Sequence, residues 1–141
     1  MEYTSILEKD ETIVSAEYRV KIERLPDSAK IFFSKQAYIN RDEVINNNIR
    51  LPLNSNIVKY ADFIVKNRGI IKKEKEKNRD IIIMDGSFYK FYIKKPGEKV
   101  DSLFIAFPSN SSYKNIGKLI RALDSSYQEN FNESLNQINF K

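Results

Sequence analysis

The stretch AEYRVKIERLPDSAKIFF, residues 16–33, alternates apolar with charged side chains on either side of a short turn. In its first half the apolar positions are Tyr18, Val20 and Ile22. A two-residue period is typical of a β-strand that buries one face and exposes the other. The turn contains Pro26, which fixes its own φ, and Asp27, whose side chain can bond to the nearby backbone. The pattern predicts a β-hairpin over residues 12–39.

A second stretch, DGSFYKFYIKK at residues 85–95, places a tight-turn dipeptide before alternating aromatic and basic residues. Asp85-Gly86 stands between two β-rich runs, which is a strong local signal for a hairpin. One face of the predicted hairpin is cationic and aromatic, with Lys77, Arg79, Phe88, Lys90, Tyr92 and Lys94. The other face is predicted to join the core through Tyr89, Phe91 and Ile93.

Two further segments have apolar residues at helical spacing. Asn54 or Ser55 can cap a helix that runs to about Lys66. Ser111 or Ser112 can cap another. The apolar positions of that second helix are Ile116, Leu119, Ile120, Leu123 and Tyr127.

These elements predict one α+β domain over residues 1–141. A strand over residues 100–107 would complete a three-stranded meander with the two arms of the Asp85-Gly86 hairpin. The fold class is therefore an antiparallel sheet, made of the N-terminal hairpin plus this meander, with two or three helices packed on one face. A hydrophobic content of 41% is sufficient for a core of its own.

Three segments have no clear period. Residues 40–53 contain the run NNN and are predicted to be a mobile loop, with a short helix near residues 42–45 as the alternative. The charged run at residues 72–79 fits either a flexible loop or the solvated end of a strand. Residues 128–141 fit a terminal helix or a tail that is ordered only in an oligomer.

The positive charge lies in the middle of the chain. The net charge is +5, and residues 59–121 alone contain 15 basic and 7 acidic residues. Such a concentration attracts polyanions and acidic protein surfaces. Lys outnumbers Arg by 17 to 7 and Asn and Ile are abundant, which indicates an AT-rich genome and weakens any argument from Lys content alone.

The residue inventory argues against catalysis. The chain has no Cys and no His, so it lacks the usual zinc, copper and iron ligands, the thiolate nucleophile and the conventional triad. Its four glycines form no phosphate-binding loop, and no acidic residue has Lys two positions later. Asp80, Asp85 and Asp101 could gather a Mg²⁺ ion, but turn and surface roles explain them more simply. We predict no catalytic residues, no metal and no cofactor.

The ends and the hydropathy of the chain bear on its location. No segment approaches the roughly 18 apolar residues of a membrane span. The acidic N-terminus lacks the basic start and apolar stretch of a secretory signal. We therefore expect a cytoplasmic protein without a membrane partner.

Three classes of function fit these observations. The first is a non-enzymatic protein that binds single-stranded nucleic acid on its basic-aromatic face. The second is a small inhibitor, immunity or antitoxin-type protein that blocks an acidic protein partner. The third is a subunit of a homo-oligomer whose aromatic face is the interface. We expect the first.

Overall fold

The computed structural model describes residues 1–10, 16–37, 41–77, 87–107 and 113–137. Within these ranges the elements are β1 (Tyr3–Asp10), β2 (Ala16–Arg24), β3 (Ala29–Ala37), β4 (Val44–Leu51), α1 (Asn56–Lys66), α2 (Arg68–Lys77), β5 (Ser87–Lys94), β6 (Asp101–Phe107) and α3 (Lys114–Phe131). The strands form one antiparallel sheet in the order β4-β3-β2-β1-β5-β6. One large core joins one face of this sheet to all three helices. The predicted α+β class is confirmed.

The predicted N-terminal hairpin is confirmed for β2 and β3. Arg24 pairs with Ala29 next to the turn, and Ala16 pairs with Ala37 at the far end. The Leu25 N–H donates to the Ser28 carbonyl at 2.9 Å and closes the turn. The remaining residues of the predicted hairpin, at 12–15 and 38–39, lie outside the described residues.

β1 lies between β2 and β5, near the centre of the sheet. Its Leu7 pairs with Val20 on one side and with Phe91 on the other. Tyr3, Ser5, Leu7 and Lys9 are its buried side chains, so half of this face is polar. The sequence did not predict this strand, because apolar and polar residues do not alternate regularly along residues 3–10.

The predicted pairing of Lys77 with Lys94 is wrong, and the other residues of the predicted partner strand, 78–84, lie outside the described residues. β1 pairs with one edge of β5 and β6 with the other, so no edge of β5 is available to a third strand. Lys77 lies in α2 instead of opposite Lys94. Pairing with β1 sets Leu7 opposite Phe91 in the core, which a pairing of Lys77 with Lys94 would not achieve. Asp85-Gly86 itself lies outside the described residues.

The expectation of an irregular loop is wrong for residues 44–51, which form the edge strand β4. Ile49 and Leu51 pack against the core, and the Asn47 side-chain amide donates to the Tyr127 hydroxyl at 3.0 Å. Asn has a low intrinsic preference for strands. Pairing with β3 and these contacts with the core outweigh that preference.

The structure confirms the helix predicted from Asn54 or Ser55 to about Lys66, which is α1, whereas the sequence did not predict α2. The Ser55 hydroxyl caps α1 by accepting a hydrogen bond from the Val58 N–H at 3.4 Å. In α2 Ile71 is the one buried hydrophobic side chain among the described positions, so the segment has little apolar period. Its Glu74 accepts from the Asn115 side-chain amide at 2.9 Å, which ties α2 to the first turn of α3.

α3 buries all five apolar positions that the sequence predicted for it. It continues as one helix to Phe131 and ends at Asn132, which has a left-handed φ of 52°. Residues 132–137 follow without a further helix, and Leu135 among them is buried. None of the described helices combines the length and the apolar character needed to cross a membrane.

Candidate functional site

The face of the sheet that points away from the helices is called the open face. Its cationic side chains among the described strands are Arg19, Lys21, Lys30, Arg50, Lys90 and Lys94. Its acidic side chains there are Glu8, Glu17 and Glu23. Its aromatic side chains are Phe32, Phe88, Tyr92 and Phe104. The open face is therefore both cationic and aromatic.

The structure brings four of the six predicted site residues together on β5. Phe88, Lys90, Tyr92 and Lys94 lie on the open face, while the alternate residues of the strand are buried. Lys77 is not among them because it belongs to α2. Arg79 lies outside the described residues. In place of these two residues, β2 contributes Arg19 and Lys21 to the same face.

Phe88 and Phe104 form a stacked pair at one end of the open face. Their ring centroids are 5.8 Å apart and their planes differ by 22°. Phe88 is 37% exposed and Phe104 is 49% exposed. The two residues are diagonal neighbours, because Lys90 pairs with Phe104 and Phe88 pairs with Ala106. The stacking depends on the register between β5 and β6.

A row of polar side chains leads across the sheet to this aromatic pair. The row consists of Ser34, Arg19, Glu8, Lys90 and Phe104, one residue from each of five neighbouring strands. The Arg19 Nε lies 3.5 Å from Glu8 Oε1. Within the described part of the chain Lys90 has no ion-pair partner. Its ammonium group is thus available to an external anion.

The row borders a trough of about 610 Å³ at the end of the sheet. The trough is lined by Glu8, Arg19, Phe88, Lys90 and Phe104, together with Lys9, Glu17, Tyr18, Ser34 and Gln36. The Glu17 carboxylate is held by both terminal nitrogens of Arg41, at 2.8 and 3.0 Å. Glu8 makes no hydrogen bond with the described residues, and its one contact that the structure records there is the ion pair with Arg19. Of these two carboxylates, Glu8 is therefore the one with fewer contacts to the described residues.

The remaining cations of the open face have mixed surroundings. Lys21 and Lys30 lie over the Phe32 ring, with Nζ 4.5 and 5.0 Å from its centroid. Lys21 also pairs with Glu23 at 3.2 Å. The Lys94 ammonium donates to the Glu98 carbonyl. Surface contacts of this kind are weak enough for a phosphate to replace or share.

The helix-covered face also contains cations, but these are buried. Lys35 donates to the Ser134 carbonyl at 2.9 Å, pairs with Glu133 at 3.3 Å and lies over the Tyr127 ring at 4.8 Å. Burial lowers the pKa of Lys35, and the hydrogen bond to Glu133 opposes that effect. On the edge of the same core, burial raises the pKa of Asp124 to about 6. The contacts of Lys35 hold the residues after α3 against the sheet.

Asp101 is the one described residue of the three carboxylates considered for Mg²⁺. Its carboxylate is already in contact with two cationic side chains. It lies 3.5 Å from Arg68 and 3.7 Å from Lys72. Across the described ranges no three acidic side chains are grouped closely enough to hold a metal ion. Asp80 and Asp85 fall outside those ranges.

No protein-family model, curated protein or solved structure matches this chain.

Proposed function

We propose that the open face binds single-stranded nucleic acid without catalysing a reaction. The observation that carries the proposal is the stacked, exposed pair of Phe88 and Phe104 beside Lys90, which has no ion-pair partner among the described residues. Proteins that bind single strands combine a cationic surface for the phosphates with aromatic rings on which bases stack. The open face offers both features on one continuous sheet.

The arrangement favours a single strand over a duplex. Stacking on an exposed ring needs a base whose own face is free, and a duplex covers that face. Each stacked base contributes roughly 1–3 kcal/mol to binding. Lys90 and Lys94 alternate with Tyr92 along β5, so phosphates and bases of one strand would find their partners in turn.

Fluorescence anisotropy at low salt tests the proposal. We expect saturable binding to a single-stranded oligonucleotide and weaker binding to the duplex of the same sequence. Phe88→Ala with Phe104→Ala should weaken single-strand binding roughly tenfold or more, because a stacking platform is removed. Phe63→Ala is the matched control, since Phe63 is 44% exposed but lies on α1. It should bind like the wild type.

The result that contradicts the proposal is the absence of saturable binding to single strands at low salt. Equal losses in the open-face variant and the Phe63 control would also contradict it. In either case the basic-aromatic face would fit the acidic surface of a protein partner better, as an inhibitor or immunity-type protein requires.

A further inference from the structure

We infer that the trough beside Phe88 selects thymine and uracil, whose Watson–Crick edge carries a ring N–H between two carbonyl oxygens, over adenine and cytosine. This inference rests on the proposed single-strand binding and names the bases that the site prefers. It follows from the order of hydrogen-bonding groups along the row that ends at the aromatic pair.

Three neighbouring side chains in that row alternate in hydrogen-bonding character. Arg19 and Lys90 can only donate, and Glu8 between them can only accept when ionised. Each lies directly opposite the next across the β2/β1 and β1/β5 pairs. The trough therefore presents a donor, an acceptor and a donor in sequence.

This order complements only some bases. The edge of thymine or uracil reads acceptor, donor, acceptor, because a ring N–H lies between two carbonyl oxygens. Guanine matches only two of these groups, with its carbonyl oxygen and ring N–H, because its 2-amino group is a donor and would face a second donor. Adenine and cytosine have a bare ring nitrogen at the centre, which would face the Glu8 carboxylate acceptor to acceptor. A buried polar group left without its partner lowers affinity markedly.

The position of Glu8 allows a stacked base to reach it. Glu8 is the diagonal neighbour of Phe88 across the β1/β5 pair, because Phe88 pairs with Asp10 and Lys90 with Glu8. Diagonal neighbours in an antiparallel pair are about 7–8 Å apart. A base lying on the exposed Phe88 ring thus has its edge directed along the row, inside the trough of about 610 Å³. The Glu8 carboxylate makes no hydrogen bond with the described residues, so it can accept one from the base.

Competition between two homopolymers of equal length, oligo-dT and oligo-dC, tests the inference at pH 8, where both are single-stranded. We expect oligo-dT to bind roughly tenfold more tightly, since one hydrogen bond to a charged group is gained and one repulsion is avoided. Glu8→Gln should bring the ratio close to one while binding is retained, because an amide can donate as well as accept. Glu23→Gln makes the same charge change on β2, outside the trough, and should keep the wild-type ratio.

The outcomes separate this inference from the proposed function. Tight but equal binding of the two homopolymers by the wild type, or a preference for oligo-dC, overturns the base selection and leaves single-strand binding intact. Binding of neither homopolymer overturns both. The wild-type ratio decides even if the Glu8 variant fails to fold, and a ratio that Glu8→Gln does not change would overturn the role of Glu8.

Discussion

The two faces of the sheet use the same residue types in opposite ways. Lys35 on the helix-covered face is fully buried and has a carbonyl, a carboxylate and a ring as partners. Lys90 on the open face is exposed and has no ion-pair partner among the described residues. A buried charge must be compensated within the fold, whereas an exposed charge can be compensated by a ligand. Burial therefore separates the structural cations from the candidate binding cations.

The aromatic residues of β5 show the same division. Phe91 is buried in the core, and Phe88, three residues earlier, stacks on Phe104 at the surface. Phe88 and Phe104 remain partly in contact with water, so their burial stabilises the fold less than the complete burial of Phe91 does. Stacked together, Phe88 and Phe104 form an aromatic surface on which another flat apolar group can pack.

The largest expected effect on folding is that of Lys35→Ala. The substitution leaves Glu133 without its cation and the Ser134 carbonyl without its donor. We expect the free energy of unfolding to fall by roughly 3 kcal/mol or more. Lys30→Ala, on the same strand but facing the open side, is the matched control and should change it by less than about 1 kcal/mol. Urea unfolding of both variants measures the difference, and similar losses would contradict the division of the two faces.

A smaller effect is expected for Asp124→Asn, and it should depend on pH. Burial raises the pKa of Asp124 from 3.8 to about 6, and the charge of Lys9 opposes this shift. The folded state therefore binds the proton more tightly than the unfolded state, so this stability is present below pH 4 and is lost as the pH rises through 6.

Asp124→Asn should therefore be more stable than the wild type at pH 7.5, by roughly 1–3 kcal/mol, and nearly equal to it at pH 4. Glu129→Gln, an exposed position on the same helix, should show no such difference between the two pH values. A deficit of the Asn variant at pH 7.5, measured by urea unfolding, would mean that the Lys9 attraction outweighs burial.

The sequence predicted those elements whose patterns are local. The turn at residues 25–28 and the alternation around it specified the β2/β3 hairpin, and Ser55 specified the start of α1. The five-position apolar stripe specified the buried face of α3. In each of these elements the apolar positions of the sequence period are the positions that the fold buries.

The sequence did not predict what depends on distant partners. β1 buries Ser5 and Lys9 along with two apolar side chains, so its period is hidden. The Asp-Gly signal favoured a local partner for β5, but the partners are β1 and β6. The row that joins Arg19, Glu8 and Lys90 exists only because β1 lies between β2 and β5. Such registers are set by the whole sheet and have no local sequence signal.

The most direct measurement compares charge reversal on the two sides of the molecule. Lys90→Glu with Lys94→Glu alters the open face, and Lys59→Glu with Lys66→Glu makes the same change on exposed positions of α1. Oligo-dT binding is measured by anisotropy over a series of salt concentrations. We expect the open-face variant to bind more weakly, with a log–log salt slope flatter by about 0.7 for each lost phosphate contact, while the α1 variant keeps the wild-type slope. Equal slopes in the two variants, or a larger change in the α1 variant, would contradict the assignment of the open face as the binding surface.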